Sequence, residues 1–433
     1  MDSKQVVIKR TVYPQIRSHL DTPDVFTLII GPRQAGKTTL MNILKEELDE
    51  KGKKTLLLNM DIDKDKRFFV SQQALLQRIK IEIGEKSGYV FLDEIQRKEN
   101  AGLFLKGLYD MNLPYKFIIS GSGSLELKEK IHESLPGRKR LFELLTLSFR
   151  EFIDFKTQYK YSEPEEGLSD LASFFDVFTE QTSDLLDEYL NFGGYPRVVL
   201  AQTLEEKRAE IEDIYQSYLA RDIESLLHIQ KTDKFTDLVR ILASQVGNLV
   251  NVAELSNTLG ISVQTVNNYL WFLEKTFIVQ KITPFYRNIR REITKSPIYY
   301  FYDLGLKNYS LNQLGTATLI KPPQGFLFEN FVLNGLKENL RHTSATIHFW
   351  RTLEKAEVDF VINTGLAVIP VEVKYTVLKS PEITRSFQSF LLKYKPKNAY
   401  IIHLGEYLQR VFAKTTIHFL PFYNFQTIFK HLI

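Results

Sequence analysis

"IIGPRQAGKTTLM", residues 29–41, decides how the chain is read. Gly31, Gly36, Lys37 and Thr38 fit the spacing G-x-x-x-x-G-K-[ST], with Pro32, Arg33, Gln34 and Ala35 between the glycines and Thr39 after them. Glycines let successive backbone N–H groups turn inward toward phosphate. Lys37 adds charge at the terminal phosphates, and the Thr38 hydroxyl suits magnesium. The run "VFTLII" (25–30) before the loop reads as a buried strand. After it, "TTLMNILKEELDEKG" spaces Leu40, Ile43, Leu44 and Leu48 along one helical face and stops at Gly52. The loop therefore opens a helix, whose N-terminal dipole favours an anion. ATP with Mg2+ is the expected occupant.

Working outward, "TLLLNM" (55–60), "YVFLDE" (89–94), "YKFIISGS" (115–122) and "RLFELLTL" (140–147) read as further strands between helices. That alternation predicts an α/β fold with a parallel, wound sheet. In "YVFLDEIQ" an acid pair ends an apolar strand. Asp93 would hold the magnesium, directly or through water, and Glu94 would orient and polarise the attacking water. Ser120 or Ser122 could contact the γ-phosphate or that water, with ordinary turn chemistry as the alternative. Arg138 and Arg140 precede the last strand. One of them could reach a neighbouring subunit's nucleotide in a homo-oligomer, the alternative being a solvated basic turn.

The chain has 433 residues, too many for one core. Hydrophobic residues at 44% and charged residues at 25% fit a soluble globular protein and argue against disorder. A formal charge of +4 is too small to argue for nucleic acid without a local patch. No cysteine is present, which excludes disulfides, thiol catalysis and cysteine-ligated metal. The start, "MDSKQVVIKR", is no signal peptide, and no apolar run approaches the roughly 18–20 residues that span a bilayer. No membrane partner and a cytoplasmic location are expected. The domains divide as 1–150 (ATPase), 151–231 (helical lid), 232–320 (winged helix) and 321–433.

"NVAELSNTLGISVQTVNNYLWFLEKTFIVQKI" (251–282) puts Val252, Leu255 and Leu259 on one helix face and turns at Gly260. Val266, Leu270 and Leu273 then face inward from the next helix. This predicts a helix-turn-helix with a wing. Gln264, Thr265, Asn267 and Asn268 can reach base edges from the exposed side, while Arg287, Arg290, Arg291 and Lys295 in the wing suit a phosphate backbone. DNA contact is one reading, and a structural lid or protein-binding module is the other.

The C-terminal segment carries a second constellation. In "GFLFENFVLNGL", Phe326, Val332, Leu333 and Leu336 surround Glu329, placing the acid on its helix's apolar side. In "AEVDFVI", Val358, Phe360 and Ile362 alternate away from Asp359. In "VIPVEVKYT", Glu372 and Lys374 share a strand face. The set resembles the PD-(D/E)xK nuclease core. That resemblance implies Asp359 and Glu372 as ligands of a divalent cation, Glu329 as a supporting ligand, and Lys374 activating water or neutralising phosphate. The same frame can instead bind DNA or a partner without cutting, or use Lys374 in a buried salt-bridge cluster.

The motifs "GPRQAGKTTL", "VFLDEIQ", "SGSGSLEL", "LPGRKRLFELLTLSFREF", "GGYPRVV", "YLARDI", "KSPIYYFYDLGL", "FLFENFV", "EVDFVI" and "PVEVKY" occur in that order. The chain thereby resembles bacterial and archaeal AAA-like ATPases that carry a C-terminal domain of unknown function. Within the resemblance, "GGYP" (193–196) looks like the lid motif of signal-transduction-type ATPases, which implies Pro196 against the adenine. Arg221 and Asp222 match a family pair without an assigned role. The implied activity is an ATP-driven switch or motor acting on DNA. The alternatives are an ATP-gated, Mg-dependent DNA nuclease and a scaffold ATPase that binds a protein partner.

Overall fold

The computed structural model describes residues 7–22, 25–122, 135–160, 179–218, 232–286, 295–316, 325–341, 343–424 and 426–430. Strands β1 (Phe26–Gly31), β2 (Thr55–Asn59), β3 (Gly88–Asp93), β4 (Tyr115–Ser122) and β5 (Lys139–Glu143) pair in parallel in the order β2-β3-β4-β1-β5. The near-continuous apolar runs of the inner strands β1, β3 and β4 follow from burial on both faces. Ile29 packs with Leu40, Met41 and Leu44 of helix α2 (Lys37–Glu50), beside α1 (Tyr13–His19). Leu28 and Ile30 point the other way, toward Ile79 of α3 (Gln72–Glu82) and Leu105 of α4 (Ala101–Asp110). The last strand stops at Glu143, short of the run expected to 147, because Leu144 turns to cover β1 through its N–H to Ile30 O, 2.7 Å.

The chain then becomes helical in α5 (Phe149–Lys156), α6 (Thr179–Phe192), α7 (Pro196–Leu200) and α8 (Leu204–Tyr218). Next come α9 (Thr232–Ser244), α10 (Val252–Leu259) and α11 (Val263–Lys275). An antiparallel pair follows, β6 (Val279–Ile282) with β7 (Ile298–Phe301). Asn251 caps α10 and Ser262 caps α11, with Gly260 between them at a φ of 66° that favours glycine. Leu255, Leu259, Val266, Leu270 and Leu273 are buried as their spacing predicts.

After α12 (Leu304–Ser310) and α13 (Gly325–Leu340), a mixed sheet forms from β8 (Thr346–Arg351), β9 (Glu357–Asn363), β10 (Val368–Val373), β11 (Asn398–His403), β12 (Leu408–Phe412) and β13 (Thr415–Pro421). Its order is β12-β13-β11-β10-β9-β8. Helix α14 (Arg385–Tyr394) carries the chain from β10 to its parallel neighbour β11 and packs Phe387, Phe390 and Leu391 on one face. One apolar cluster runs from Leu147 through α9–α11 and the β6–β7 pair to α13 and the sheet's other face. The parts after β5 thus share a core.

Two expectations fail locally. Phe326 is 47% exposed, because it lies over Gly247 instead of entering the core. Val358 joins the α14-side cluster while Phe360 and Ile362 join the opposite one, beside an irregularity in the β8–β9 pairing between His348 and Trp350.

Candidate functional site

Strand β4 lies between β1 and β3, so three strand ends share one edge: Asn59 is paired with Asp93, and Ser120 with Ile29. Buried Asp93 accepts from Thr38 Oγ1 at 2.7 Å, from Asn59 Nδ2 at 3.0 Å and from Ser120 Oγ. Ser120 Oγ also accepts the Glu94 N–H at 3.3 Å. Thr38, Asp93, Glu94 and Ser120 are therefore one connected group. Asn59 was missed in the sequence; its signal was a polar residue ending an apolar strand.

The loop residues have the geometry of an anion cradle. Gln34 has φ 57° and Gly36 φ 93°, left-handed conformations that turn backbone N–H groups inward. A Cβ on Gly31 would collide with the Leu144 carbonyl, so glycine is required there by close backbone approach. The buried Lys37 ammonium donates to Gly31 O at 3.1 Å and Pro32 O at 2.8 Å, inside its own loop. Pro32 and Ala35 are buried, Arg33 is half-buried, and Thr38 and Thr39 are exposed at the helix start. A hydroxyl and a carboxylate 2.7 Å apart at the mouth of this loop are adjacent oxygen donors of the kind a hard cation takes, so the chemistry of Thr38 and Asp93 fits Mg2+.

Glu94 sits at φ 57°, a conformation rare outside glycine and found at functional sites. Its carboxylate accepts from Gln96 Nε2. A further brace comes from the buried pair of Arg10 and Glu151, 3.1 Å apart. Arg10 also donates to Ala35 O at 2.8 Å and Leu145 O at 2.6 Å, fastening the loop to the end of the sheet.

The lid motif meets the loop through Arg197, which donates to Gln34 Oε1 at 3.1 Å and pairs with Asp213 and Glu210. Half-buried Pro196 opens α7 beside it. Gly194 N–H donates to buried Asp303 at 2.8 Å, and Asp303 also caps α12 through Leu306 N–H. Burial pushes the Asp303 carboxyl up to about 6 against those hydrogen bonds. A Cβ on Gly193 would strike Asp303, and one on Gly305 the Phe192 carbonyl. "GGYP" and "YDLGL" are two halves of one backbone contact.

Arg138 lies where β5 begins, at the end of the sheet away from the loop. It pairs with Asp110 at 2.8 Å and covers the Tyr109 ring. Arg140 is exposed on β5.

In the C-terminal domain the acids approach one another from different elements. Asp359 accepts the Val373 N–H at 2.7 Å. Glu372 pairs with Lys374 at 2.8 Å and accepts from Thr384, the cap of α14, at 3.2 Å; its other oxygen is buried without a partner. Glu329 accepts from Tyr300. Burial, then the Glu372 charge, pushes Asp359 up to about 7, and burial, then Asp359, pushes Glu329 well up. Burial works against the Lys374 ammonium, but Glu372 outweighs it and raises its pKa. Among the described residues, no three His, Asp or Glu side chains are placed to hold a metal ion. As folded, Lys374 meets one oxygen of Glu372.

On α11, Gln264, Asn267 and Asn268 are exposed and Thr265 half-buried, with Gln264 bonded to Asn268 at 3.0 Å. Arg221, Asp222, Arg287, Arg290 and Arg291 lie outside the described residues; Lys295 is exposed. Among the described residues, no helix is long and apolar enough to cross a membrane.

Comparison with known proteins fits this geometry. Residues 24–153 match a family model described as an AAA domain. Residues 183–317 and 324–425 match two different models, each described as a domain of unknown function. The N-terminal region is thus an AAA-like P-loop ATPase domain. An uncharacterized protein of Mycobacterium tuberculosis is 27% identical over 407 residues, covering 94% of this chain and 82% of its own. One of Haemophilus influenzae is 24% identical over 421 residues, covering 94% and 96%. Among solved structures, a Walker-type ATPase of Pyrococcus abyssi gives a TM-score of 0.41 at 16% identity, covering 71% of this chain and 96% of that one. The Orc1 protein of Aeropyrum pernix in complex with DNA gives 0.33 at 12%, covering 74% and 97%. Scores this low do not define a shared overall fold.

Proposed function

We propose that this chain is an ATP-hydrolysing switch or motor that couples its nucleotide state to a winged helix and a nuclease-like C-terminal domain, and that it acts on DNA. The observation that carries the reading is the connected group Thr38–Asp93–Ser120, with Glu94 on the next residue. Thr38 and Asp93 would hold Mg2+, Lys37 and the loop N–H groups the phosphates, and Pro196 the adenine. The ion supplies charge neutralisation on the phosphates. Glu94 then orients a water and accepts its proton. Coupling follows from Asp303, which ties the lid glycines to the cap of α12 just after β7.

The helices α9–α11 with the β6–β7 pair support the winged-helix reading, and the polar face of α11 supports base contact. For the C-terminal domain, the Lys374–Glu372 pair favours a second reading, in which the frame docks DNA or a protein partner without cutting. Arg138 would act on a neighbouring chain's nucleotide. Mixing Arg138→Ala with Lys37→Ala should then restore part of the activity each lacks, and no restoration removes that role.

The decisive assay is ATP turnover with and without single-stranded, duplex and branched DNA. Stimulation by one of these is expected, with binding that weakens steeply as salt rises. Absent binding at low salt would move the assignment to a protein scaffold. Divalent-dependent cutting would establish the nuclease.

A further inference from the structure

A cleft of about 910 Å³ lies where the ATPase sheet, the lid, the β6–β7 pair and the C-terminal domain meet. Its size and its place between domains are those of small-molecule sites. Nothing in the ATPase chemistry uses it. The rings of Phe149, Tyr189 and Phe331 line it and contact one another edge to face at 5.1–6.0 Å, giving an aromatic wall.

The charges around the cleft are unevenly matched. Four cationic side chains line it, Arg150, Lys281, Lys337 and Arg341, against three acids, Glu143, Asp154 and Glu338. Arg150 is taken by Asp154 at 3.1 Å, and Arg341 donates to the Glu143 carbonyl at 3.4 Å. Lys281 is exposed at the rim. Lys337 is the deep one: protein crowds it, yet the cleft still wets it, and it makes no hydrogen bond or ion pair among the described residues. Burial pushes its ammonium down to about 8, with Glu143 and Glu274 opposing the shift. Beside it, burial and then the Glu151 charge push Glu338 up to about 7. An unpaired cation held against an aromatic wall is costly unless an anion arrives.

We propose that this cleft binds a small organic anion, a flat aromatic body carrying one carboxylate, with the carboxylate on Lys337 and the ring against Phe149, Tyr189 and Phe331. One deep unpaired cation calls for one negative charge, and the phosphates of ATP already have their own loop. The wall is wired to that loop. Ser148, which lines the cleft, and Glu151 bond reciprocally at the start of α5, and Glu151 holds Arg10, which donates to Ala35 O.

The test uses the full chain and 2-naphthoate, a planar aromatic monocarboxylate without phosphate, titrated by calorimetry. Saturable binding of one molecule per chain is expected. Lys337→Gln should weaken it by about tenfold or more, as for loss of a hydrogen bond to a charged group. Lys37→Ala should leave it unchanged. On the wild-type chain the neutral 2-naphthamide should bind about tenfold more weakly, a comparison independent of any variant's folding. No saturable binding at millimolar 2-naphthoate, equal affinity for the amide, or loss in Lys37→Ala would each overturn the site. A second arm rests on the ATPase reading: saturating 2-naphthoate should change ATP turnover about twofold or more. Unchanged turnover in an active enzyme overturns the coupling through Ser148 and Arg10, while the binding arm stands on its own result.

Discussion

At the end of β3, Asp93 accepts hydrogen bonds from three neutral side chains, Thr38, Asn59 and Ser120, each on a different element. Where β9 begins and β10 ends, burial and the Glu372 charge instead push Asp359 up, and burial and Asp359 push Glu329 up. Both clusters put acids at the ends of buried strands, but they meet the charge differently. A carboxylate ringed by neutral donors has no competing cation among those partners. A crowd of carboxylates must be relieved by protons or by a lysine, and here Tyr300 and Lys374 supply that relief. The first arrangement is the one that the proposed Mg2+ and phosphates would use; the second meets part of its charge from within the protein.

The sharpest way to break this contrast is Lys37→Ala. Loss of the loop's buried ammonium should lower ATP turnover roughly 100-fold or more, as for removal of a donor aimed at developing charge. Steady-state turnover and a nucleotide-binding titration check it. Next in size, Asn59→Ala removes one of the donors on Asp93 and should lower turnover about tenfold with little change in fold, measured as kcat against KM. Normal turnover would reduce Asn59 to packing.

In the C-terminal cluster the effect should have the opposite sign. Asp359 has a folded pKa of about 7 against an ordinary 3.8, so the folded state holds the proton more tightly. Its contribution to stability is therefore greatest below pH 3.8 and declines as pH rises toward about 7. Asp359→Asn should flatten that decline and raise the melting temperature at pH 8 by about 2–4 °C per kcal/mol recovered, while changing little at pH 4. ATP turnover should be unaffected. A melting temperature that falls at pH 8 would mean the charge is needed. The smallest effect on stability belongs to Arg138→Ala, whose exposed pair with Asp110 should cost under about 1 kcal/mol.

The same contrast explains what could be read from the chain alone. The loop motif is contiguous, and its glycines, lysine and threonine are found by spacing alone. Asp93 and Glu94 follow from an apolar strand that ends in acids. Asn59, Arg10 and Glu151 could not be found that way, because each is one polar residue whose partner lies on another element. Arg10 and Glu151 are 141 positions apart. The pairing of Gly194 with Asp303 spans 109 positions, so two recognisable motifs gave no hint that they touch. The C-terminal acids were legible as residues on one side of their elements. How they are satisfied was not, since Tyr300 and Thr384 come from outside the motif.

The central claim is that Glu94 drives hydrolysis at a site that Thr38, Asp93 and Ser120 assemble. It is tested most directly by comparing wild type with Glu94→Gln in one experiment that reads both ATP binding and phosphate release in the presence of Mg2+. The account predicts binding within a few-fold of wild type and release at least ~100-fold slower, as for loss of a positioned base. Phosphate release at the wild-type rate from Glu94→Gln would contradict it.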